Sequence, residues 1–177
     1  MEKNNLFCNG FSIPKNISFL IIDDDLNLAA IIKEELEIMG FEGPFAIASD
    51  LDSAQKEMRK TQIDYILCDW HLPDGEGIDL LEAARKSNKY SLSPFVMVTG
   101  NRNVDDMVKS KYKGISEYVV KPWNHEDFKN KIFFGWAKEK AKASDLIKEL
   151  LEKNTQLSEK VKNLESHILI LESQIIK

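Results

Sequence analysis

Two apolar runs in this sequence end in carboxylic acids. The run FLII is followed by Asp23, Asp24 and Asp25, and the run YILC is followed by Asp69. Adjacent carboxylates repel one another, so an apolar run that ends in three of them indicates that a cation binds there. Asp25 has a simpler explanation, because it can cap a helix that is predicted to begin directly after it.

Two further apolar runs end in Thr99 and Lys121. Each of these polar residues has an ordinary structural explanation when it is taken alone. Asp69 can begin a turn, and Lys121 can point into solvent. An acid pair, a third acid, a hydroxyl and a lysine at the ends of four separate runs are nevertheless hard to obtain by chance. The set predicts a polar site that the fold assembles from distant parts of the chain.

The runs that carry these residues alternate with amphipathic stretches. The predicted strands are 17–22, 44–48, 64–68, 94–99 and 117–120, and the predicted helices are 26–40, 50–60, 78–87 and 104–114. Strands that are apolar on both faces, each followed by a helix, predict an α/β fold with a parallel sheet covered on both sides. We expect an open, doubly wound, five-stranded sheet of order 2-1-3-4-5, which binds ligands beyond the carboxyl ends of its first and third strands.

Composition narrows the classes of function. The 177 residues are 43% hydrophobic and 30% charged, with a net charge of −5, which argues against broad binding to nucleic acid or to an anionic membrane. Two cysteines, Cys8 and Cys68, do not suggest a disulfide framework, and a reducing, cytoplasmic location is expected. Residues 1–16 lack the apolar core of a signal peptide and are predicted to be a mostly irregular arm, with a short packed piece around 7–13.

At the residues of the predicted site the chain resembles the receiver domain of two-component response regulators. The matching pieces are FLIIDDD, DYILCDWHLPDGEG, PFVMVTG and EYVVKPW, within about residues 17–138. The resemblance implies a flavodoxin-like fold and a phosphoryl group accepted on Asp69 from a histidine kinase. It also implies that Lys121 and Thr99 contact that group, and that Tyr118 is an aromatic switch which rotates when Thr99 moves inward. A receiver catalyses only its own phosphorylation and dephosphorylation, so no further enzyme activity is expected.

A cluster of hard oxygen ligands suits Mg²⁺, which favours octahedral oxygen coordination and retains several waters. We assign Asp24 and Asp69 as direct ligands, the backbone carbonyl of His71 as a third, and Asp23 as the holder of a metal-bound water. A histidine two residues after a nucleophile could also act through its ring, but we favour its carbonyl. The resemblance suggests that His71 and Asn101 tune the lifetime of the phosphoryl group.

The sequence after Pro122 is predicted to stay helical, beginning at a cap formed by Asn124 and Asp127. A heptad repeat begins at Ile147, with β-branched residues and one asparagine at a and leucine at d. Positions a are Ile147, Asn154, Val161, Ile168 and Ile175, and positions d are Leu150, Leu157, Leu164 and Leu171. This pattern favours a parallel two-stranded coiled coil, in which paired asparagines fix the register. Residues 139–177 are therefore predicted to form a dimerisation and signal-relay helix.

The sequence leaves three alternative functions open. The chain could be the receiver part of a larger regulator, with an output domain such as a diguanylate cyclase beyond Lys177, or it could act through a partner protein. Asp-x-Asp within DDD also fits a phosphohydrolase with an aspartyl-phosphate, but Asn27 stands where that class has threonine or valine, and no cap-domain insertion is evident. A receiver that is never phosphorylated is a third possibility, against which the full set of acids, Thr99 and Lys121 argues.

Overall fold

The computed structural model describes residues 4–8, 10–100 and 114–175, with side chains described as far as residue 168. Asn101, the predicted helix at 104–114 apart from its last residue, and the side chains of Leu171 and Ile175 lie outside this part of the chain. The chain divides into two compact units, Met1–Lys140 and Ala141–Lys177. The polar site belongs to the first unit.

A five-stranded parallel sheet forms the centre of the first unit, as the sequence predicts. Its strands are β3 (Phe19–Ile22), β4 (Phe45–Ala48), β5 (Tyr65–Asp69), β8 (Phe95–Thr99) and β9 (Glu117–Val120). They pair in the order β4-β3-β5-β8-β9, so the chain crosses from one half of the sheet to the other between β4 and β5. The switch point beside β3 and β5 is where such sheets bind ligands.

Both faces of the sheet are buried because successive side chains of a strand point to opposite faces. In β3, Leu20 belongs to one apolar core cluster, together with side chains of α2 (Leu51–Lys60) and α3 (Gly77–Lys86). Ile21 belongs to a second cluster, with side chains of α1 (Leu26–Ile38) and the first turns of α4 (His125–Ile175). The prediction of a sheet covered on both sides is therefore confirmed.

Side-chain caps fix the starts of two helices close to the predicted positions. Asp25 Oδ1 accepts hydrogen bonds from the amides of Asn27 (2.9 Å) and Leu28 (3.3 Å) at the start of α1. Asn124 Oδ1 accepts one from the amide of Asp127 at 2.8 Å in the first turn of α4. Asp25 thus serves helix α1, as its position after the strand suggested.

The sequence reading of a mostly irregular N-terminal arm is wrong. Strands β1 (Asn5–Cys8) and β2 (Phe11–Pro14) form an antiparallel hairpin. Gly10, which directly precedes β2, has a positive φ of 81°, a conformation that suits a tight hairpin turn. Ile13 is fully buried, and Phe11 meets Phe134 of α4 edge-on with 5.7 Å between ring centroids. The expected packed piece around residues 7–13 is part of this hairpin.

Helix α4 packs closely against the sheet at a glycine. A Cβ at Gly135 would lie 2.6 Å from Tyr65 Oη. The Tyr65 hydroxyl donates a hydrogen bond to the carbonyl of Ile132 at 2.9 Å, and burial raises the pKa of this hydroxyl well above its usual range. Gly135, an unfavourable residue for a helix interior, is therefore explained by this close approach. Within the described residues, no helix has the length and apolarity needed to cross a membrane.

Candidate functional site at the carboxyl edge of the sheet

The predicted site residues lie together at the carboxyl ends of the parallel strands. Asp23 and Asp24 follow β3, Asp69 ends β5, Thr99 ends β8 and Lys121 follows β9. Parallel pairing in register places these ends side by side, because Asp69 lies opposite Val98 and Thr99 lies opposite Val120. We call these five residues the carboxyl edge.

Lys121 joins two of the three acids. Its Nζ lies 2.8 Å from Asp23 Oδ2 and 2.7 Å from Asp69 Oδ2, within hydrogen-bonding distance of both. Backbone amides bind the other carboxylate oxygens: Asp25 N–H donates to Asp23 Oδ1 at 3.0 Å, and Trp70 N–H donates to Asp69 Oδ1 at 2.6 Å. Both carboxylates are therefore held in fixed orientations toward the same point.

The three acids form one cluster of possible metal ligands. Carboxylate oxygens of Asp23, Asp24 and Asp69 lie within 4.8 Å of one another. The side chain of Asp23 is only 1% exposed, Asp69 is half-buried and Asp24 is exposed, so the cluster opens to solvent on one side. Among the described residues, one lysine ammonium lies at this cluster of three carboxylates, and this excess of negative charge favours binding of a cation.

Burial shifts the ionisation of the two most enclosed charges. Burial raises the pKa of Asp23 above its ordinary value and outweighs the hydrogen bond and charge of Lys121, which lower it. For Lys121, burial lowers the pKa, but the hydrogen bonds and charges of Asp23 and Asp69 outweigh it, so the pKa is raised. Lys121 is thus a firmly protonated cation, whereas the Asp23 carboxylate is held at a cost in free energy.

The other predicted residues occupy distinct positions around this cluster. Thr99 is buried, and its carbonyl accepts a hydrogen bond from the Lys121 amide at 2.7 Å. Tyr118 is half-buried, and Lys131 Nζ of α4 lies 4.4 Å from the centroid of its ring. His71 is exposed, in the short hairpin of β6 (His71–Leu72) and β7 (Gly75–Glu76).

Sequence reasoning missed Gly77 as a residue that shapes the site. Its amide donates to the carbonyl of Trp70 at 2.8 Å, and a Cβ there would lie 2.2 Å from the carbonyl oxygen of Asp69. Only glycine lets the start of α3 approach the end of β5 so closely. In the sequence, Gly77 is the second glycine of LPDGEG, and this glycine could have indicated the close approach. The sequence reading treated it only as part of a turn.

The loop after Asp69 is also anchored by an acid that the sequence reading did not single out. Asp74 accepts hydrogen bonds from the first two amides of α2, Leu51 N–H at 2.8 Å and Asp52 N–H at 3.0 Å. These are amides that have no partner within their own helix. The cap from Asp74 therefore fixes the β6–β7 hairpin, and with it the backbone that follows Asp69, to the neighbouring helix.

Comparison with known proteins agrees with this fold and this cluster. The family model of the response regulator receiver domain matches residues 19–133, and the chain belongs to this family. The chemotaxis protein CheY of Pseudomonas aeruginosa is 34% identical over 116 residues, which cover 66% of this chain and 93% of that protein. The chemotaxis protein CheY-3 of Vibrio cholerae is 30% identical over 120 residues, which cover 68% of this chain and 92% of that protein.

Solved structures give the same result. The crystal structure of a CheY-like receiver domain protein from Methanospirillum hungatei is 30% identical and superposes with a TM-score of 0.60. The match covers 71% of this chain and 98% of that chain. The family is that of response regulator receiver domains, which does not support the phosphohydrolase alternative.

Proposed function

We propose that this chain is a phosphorylation-dependent receiver that accepts a phosphoryl group on Asp69 from a histidine kinase. The observation that carries the proposal is the position of Lys121 Nζ, 2.7 Å from Asp69 Oδ2 and 2.8 Å from Asp23 Oδ2. Membership of the receiver family implies the class of phosphodonor. The half-buried Asp69 carboxylate lies at the side of the cluster that opens to solvent, where a donor can reach it.

The donor set fits Mg²⁺. Its side-chain donors are carboxylate oxygens of a buried, a half-buried and an exposed acid, which leaves room for the waters that Mg²⁺ retains. In our proposal Asp24 and Asp69 are direct ligands, with the His71 carbonyl as a third and Asp23 acting through a water. The ion would neutralise charge on the entering phosphoryl oxygens.

The chemistry of Asp69 follows from charge. One of its carboxylate oxygens attacks the phosphorus, a new P–O bond forms, and the bond from phosphorus to the donor breaks with its electron pair leaving on the donor. Attack brings two anions together, and the protonated Lys121 ammonium offsets this repulsion. In the product, we propose that Lys121 and the Thr99 hydroxyl bind phosphoryl oxygens, and that Tyr118 follows Thr99 as the switch.

Intact-mass measurement tests this proposal. The chain is incubated with acetyl phosphate and Mg²⁺, and we expect a single phosphoryl adduct that is lost in Asp69→Asn. Asp52→Asn is the matched control, because Asp52 is an exposed aspartate on α2 that is not part of the cluster. An adduct that persists in Asp69→Asn or maps to Asp23, or the absence of any adduct, contradicts the proposal.

We also propose that α4 pairs with a second copy to form a parallel coiled coil. The a and d side chains in the described part of the second unit are exposed on a single chain, namely Ile147, Leu150, Leu157, Val161, Leu164 and Ile168. Pairing would bury this apolar stripe, with Asn154 facing its counterpart. Lys160 would face Glu165 of the second copy, a pair that contributes about 0.3–0.5 kcal/mol.

Sedimentation and cross-linking test the coiled coil and its role as a relay. We expect a dimer in wild type, and in Asn154→Val a more stable assembly that is no longer restricted to two strands. Phosphorylation is expected to change the cross-linking pattern of single cysteines along a and d while the dimer persists. A monomer at all concentrations contradicts the coil, and identical patterns with and without phosphate contradict the relay to a downstream effector domain or partner.

A further inference from the structure

Among the described side chains of α4, which reach residue 168, the last buried one is a carboxylate. Glu139 lies one residue before the end of the first unit, and its side chain is only 1% exposed. All residues from 144 to 168 are exposed. Burying a carboxylate has a free-energy cost that an apolar residue at this position would avoid, unless the charge is paired and hydrogen-bonded. Such a group at the start of the exposed part of the helix therefore needs an explanation.

Ser116 holds Glu139 through a hydroxyl whose hydrogen-bonding capacity is fully used. The hydroxyl donates to Glu139 Oε1 at 2.8 Å, and it accepts hydrogen bonds from the amide of Phe95 at 2.9 Å and from Arg85 Nη2 at 3.3 Å. A serine hydroxyl has one donor and two acceptor sites, so all three are occupied. Arg85 Nη2 lies 3.7 Å from Glu139 Oε1 and supplies the opposite charge.

Arg85 connects this pair to the surrounding backbone. Its guanidinium donates to four carbonyl oxygens, those of Gly114 (2.8 Å), Tyr90 (3.1 Å), Ser91 (3.3 Å) and Ser93 (2.8 Å). The last turn of α3, the segment before β8 and the segment before β9 are therefore held by one side chain. We call Arg85, Ser116 and Glu139 the amino-edge cluster, because Ser116 directly precedes β9 and its hydroxyl binds the first amide of β8.

Strand β9 joins the two edges of the sheet directly. Ser116 precedes its first residue and Lys121 follows its last, so the four residues Glu117–Val120 separate the two clusters. A second contact fixes the same end of the strand to α4, since Lys138 Nζ donates to the carbonyl of Ile115 at 2.9 Å. A short strand hydrogen-bonded within a sheet cannot stretch, and a displacement of one end therefore moves the other.

We propose that the amino-edge cluster is the positioning element that couples the carboxyl edge to α4 through β9. The inference deepens the proposed function and rests on it. A phosphoryl group on Asp69 replaces the single negative charge of the carboxylate with about 1.5 to 2 negative charges on the phosphoryl oxygens beside Lys121, and so changes the partners of that lysine. The pull on Lys121 moves β9, and Ser116 transfers the movement to Glu139.

A simpler explanation is that the cluster only stabilises the fold. Buried polar groups of that kind do exist, and their removal costs stability without changing a signal. A second route from β9 to α4 is also present, because Lys131 Nζ lies 3.6 Å from Glu117 Oε1 and over the ring of Tyr118. The test must therefore separate a change in coupling from a loss of stability, and one route from the other.

Three tryptophans provide reporters at suitable positions in the full chain. Trp70 follows Asp69, Trp123 follows the strand end at Lys121, and Trp136 lies one turn before Glu139 in α4. With 5-fluorotryptophan incorporated, ¹⁹F NMR gives one resonance for each. Beryllofluoride with Mg²⁺ is the probe, as a stable substitute for the phosphoryl group. In wild type we expect the probe to shift the resonances of both Trp70 and Trp136.

In Glu139→Ala we expect the Trp70 shift to remain and the Trp136 shift to be lost. Ser116→Ala, which removes only the hydroxyl, is expected to give the same result and replaces Glu139→Ala if that variant does not fold. Glu152→Ala removes an exposed carboxylate from the same helix, and Lys131→Met removes the second route. Both controls should keep the two shifts.

The possible outcomes are distinct. A Trp136 shift of wild-type size in both Glu139→Ala and Ser116→Ala overturns the coupling role, and so does a wild type in which only Trp70 responds. A loss of the Trp136 shift in Lys131→Met but not in Glu139→Ala assigns the coupling to the second route and overturns the proposal. A wild type in which Trp70 does not respond overturns the proposed function itself, and this inference with it.

Discussion

The two edges of the central sheet bury charged side chains in opposite ways. At the amino edge, the Arg85 guanidinium faces the single carboxylate of Glu139, and it also donates to Ser116 Oγ and four carbonyls. At the carboxyl edge, Lys121 supplies the one ammonium among the described residues, and it lies at a cluster of three carboxylates. The first arrangement is balanced in charge, and the second has an excess of negative charge.

This difference separates a structural cluster from a reactive one. A buried cluster that is balanced in charge has little to gain from a ligand, so it can hold two elements in a fixed relation. An unbalanced cluster that opens to solvent is different, because binding of a cation neutralises its excess negative charge and lowers its free energy. The same sheet thus carries an unbalanced acidic cluster and, at its other edge, the balanced cluster that we propose as the coupling element.

The largest expected effect is at the amino edge. Arg85→Met would leave Glu139 buried beside uncompensated carbonyls, and we expect it to lower the free energy of unfolding by about 3–5 kcal/mol. Mg²⁺ should not restore the loss, because the acidic cluster lies at the other edge. Urea unfolding with and without Mg²⁺ measures this. A loss below about 1 kcal/mol, or recovery with Mg²⁺, would show that the amino edge is not the balanced structural cluster described.

At the carboxyl edge, two glycines give a matched pair. Gly77→Ala places a methyl group 2.2 Å from the Asp69 carbonyl oxygen, and we expect a loss of about 3 kcal/mol in stability and a displaced Asp69. Among the described residues, a Cβ at Gly100 would meet nothing within 4 Å, so Gly100→Ala should change stability by less than about 0.5 kcal/mol. Thermal unfolding compares the two variants, and equal effects would contradict this account of the approach of α3 to β5.

Lys121→Met should differ from Arg85→Met in whether Mg²⁺ restores the lost stability. Without divalent cations we expect a loss of about 2 kcal/mol, smaller than for Arg85→Met because the acidic cluster opens to solvent. Added Mg²⁺ should recover most of that loss, since it supplies the positive charge that the lysine provided. Urea unfolding in EDTA and in Mg²⁺ measures both values. A loss that Mg²⁺ does not reduce would argue against a cation site among Asp23, Asp24 and Asp69.

The smallest effect expected for a site residue is the pH dependence of stability that Asp23 causes. Burial raises the pKa of its carboxyl group. An acid with a raised pKa in the folded state holds its proton more tightly there than in the unfolded chain. Its contribution to stability therefore falls as pH rises from its ordinary value, near 4, through the raised value. Asp23→Asn should remove this slope and raise metal-free stability at pH 7. The difference between the two pH profiles is the measurement, and a variant less stable than wild type at pH 7 contradicts it.

The sequence allowed prediction of the carboxyl edge because the fold places each strand end by a general rule. Asp23, Asp24, Asp69, Thr99 and Lys121 each follow or end an apolar run, and parallel pairing brings such ends together. The sequence did not predict which of these five side chains contact one another. Only the structure places Lys121 between Asp23 and Asp69, because that depends on the register of β9 against β8.

The amino edge was not predictable, because nothing in the local sequence marks it. Arg85 lies in LEAARKS and Glu139 in AKEKAK, both of which are typical of exposed helix surface. Burial of Glu139 depends on which face of α4 meets the sheet, and the close contact of Gly135 with Tyr65 lies on that face. The N-terminal hairpin was not predicted for a related reason. Its strands are short, and they depend on packing against Phe134 and Asn130 of α4.

Measurement of Mg²⁺ binding is the most direct test of the central claim. That claim is that a cation binds at the carboxyl edge and not at the amino edge. Stability of the full chain is measured as Mg²⁺ is added, and at ten times the dissociation constant one site adds about 1.4 kcal/mol. We predict this gain in wild type and in Glu139→Gln, and its loss in Asp24→Asn and Asp69→Asn. No gain in wild type, or a gain that survives in both aspartate variants, would contradict the account.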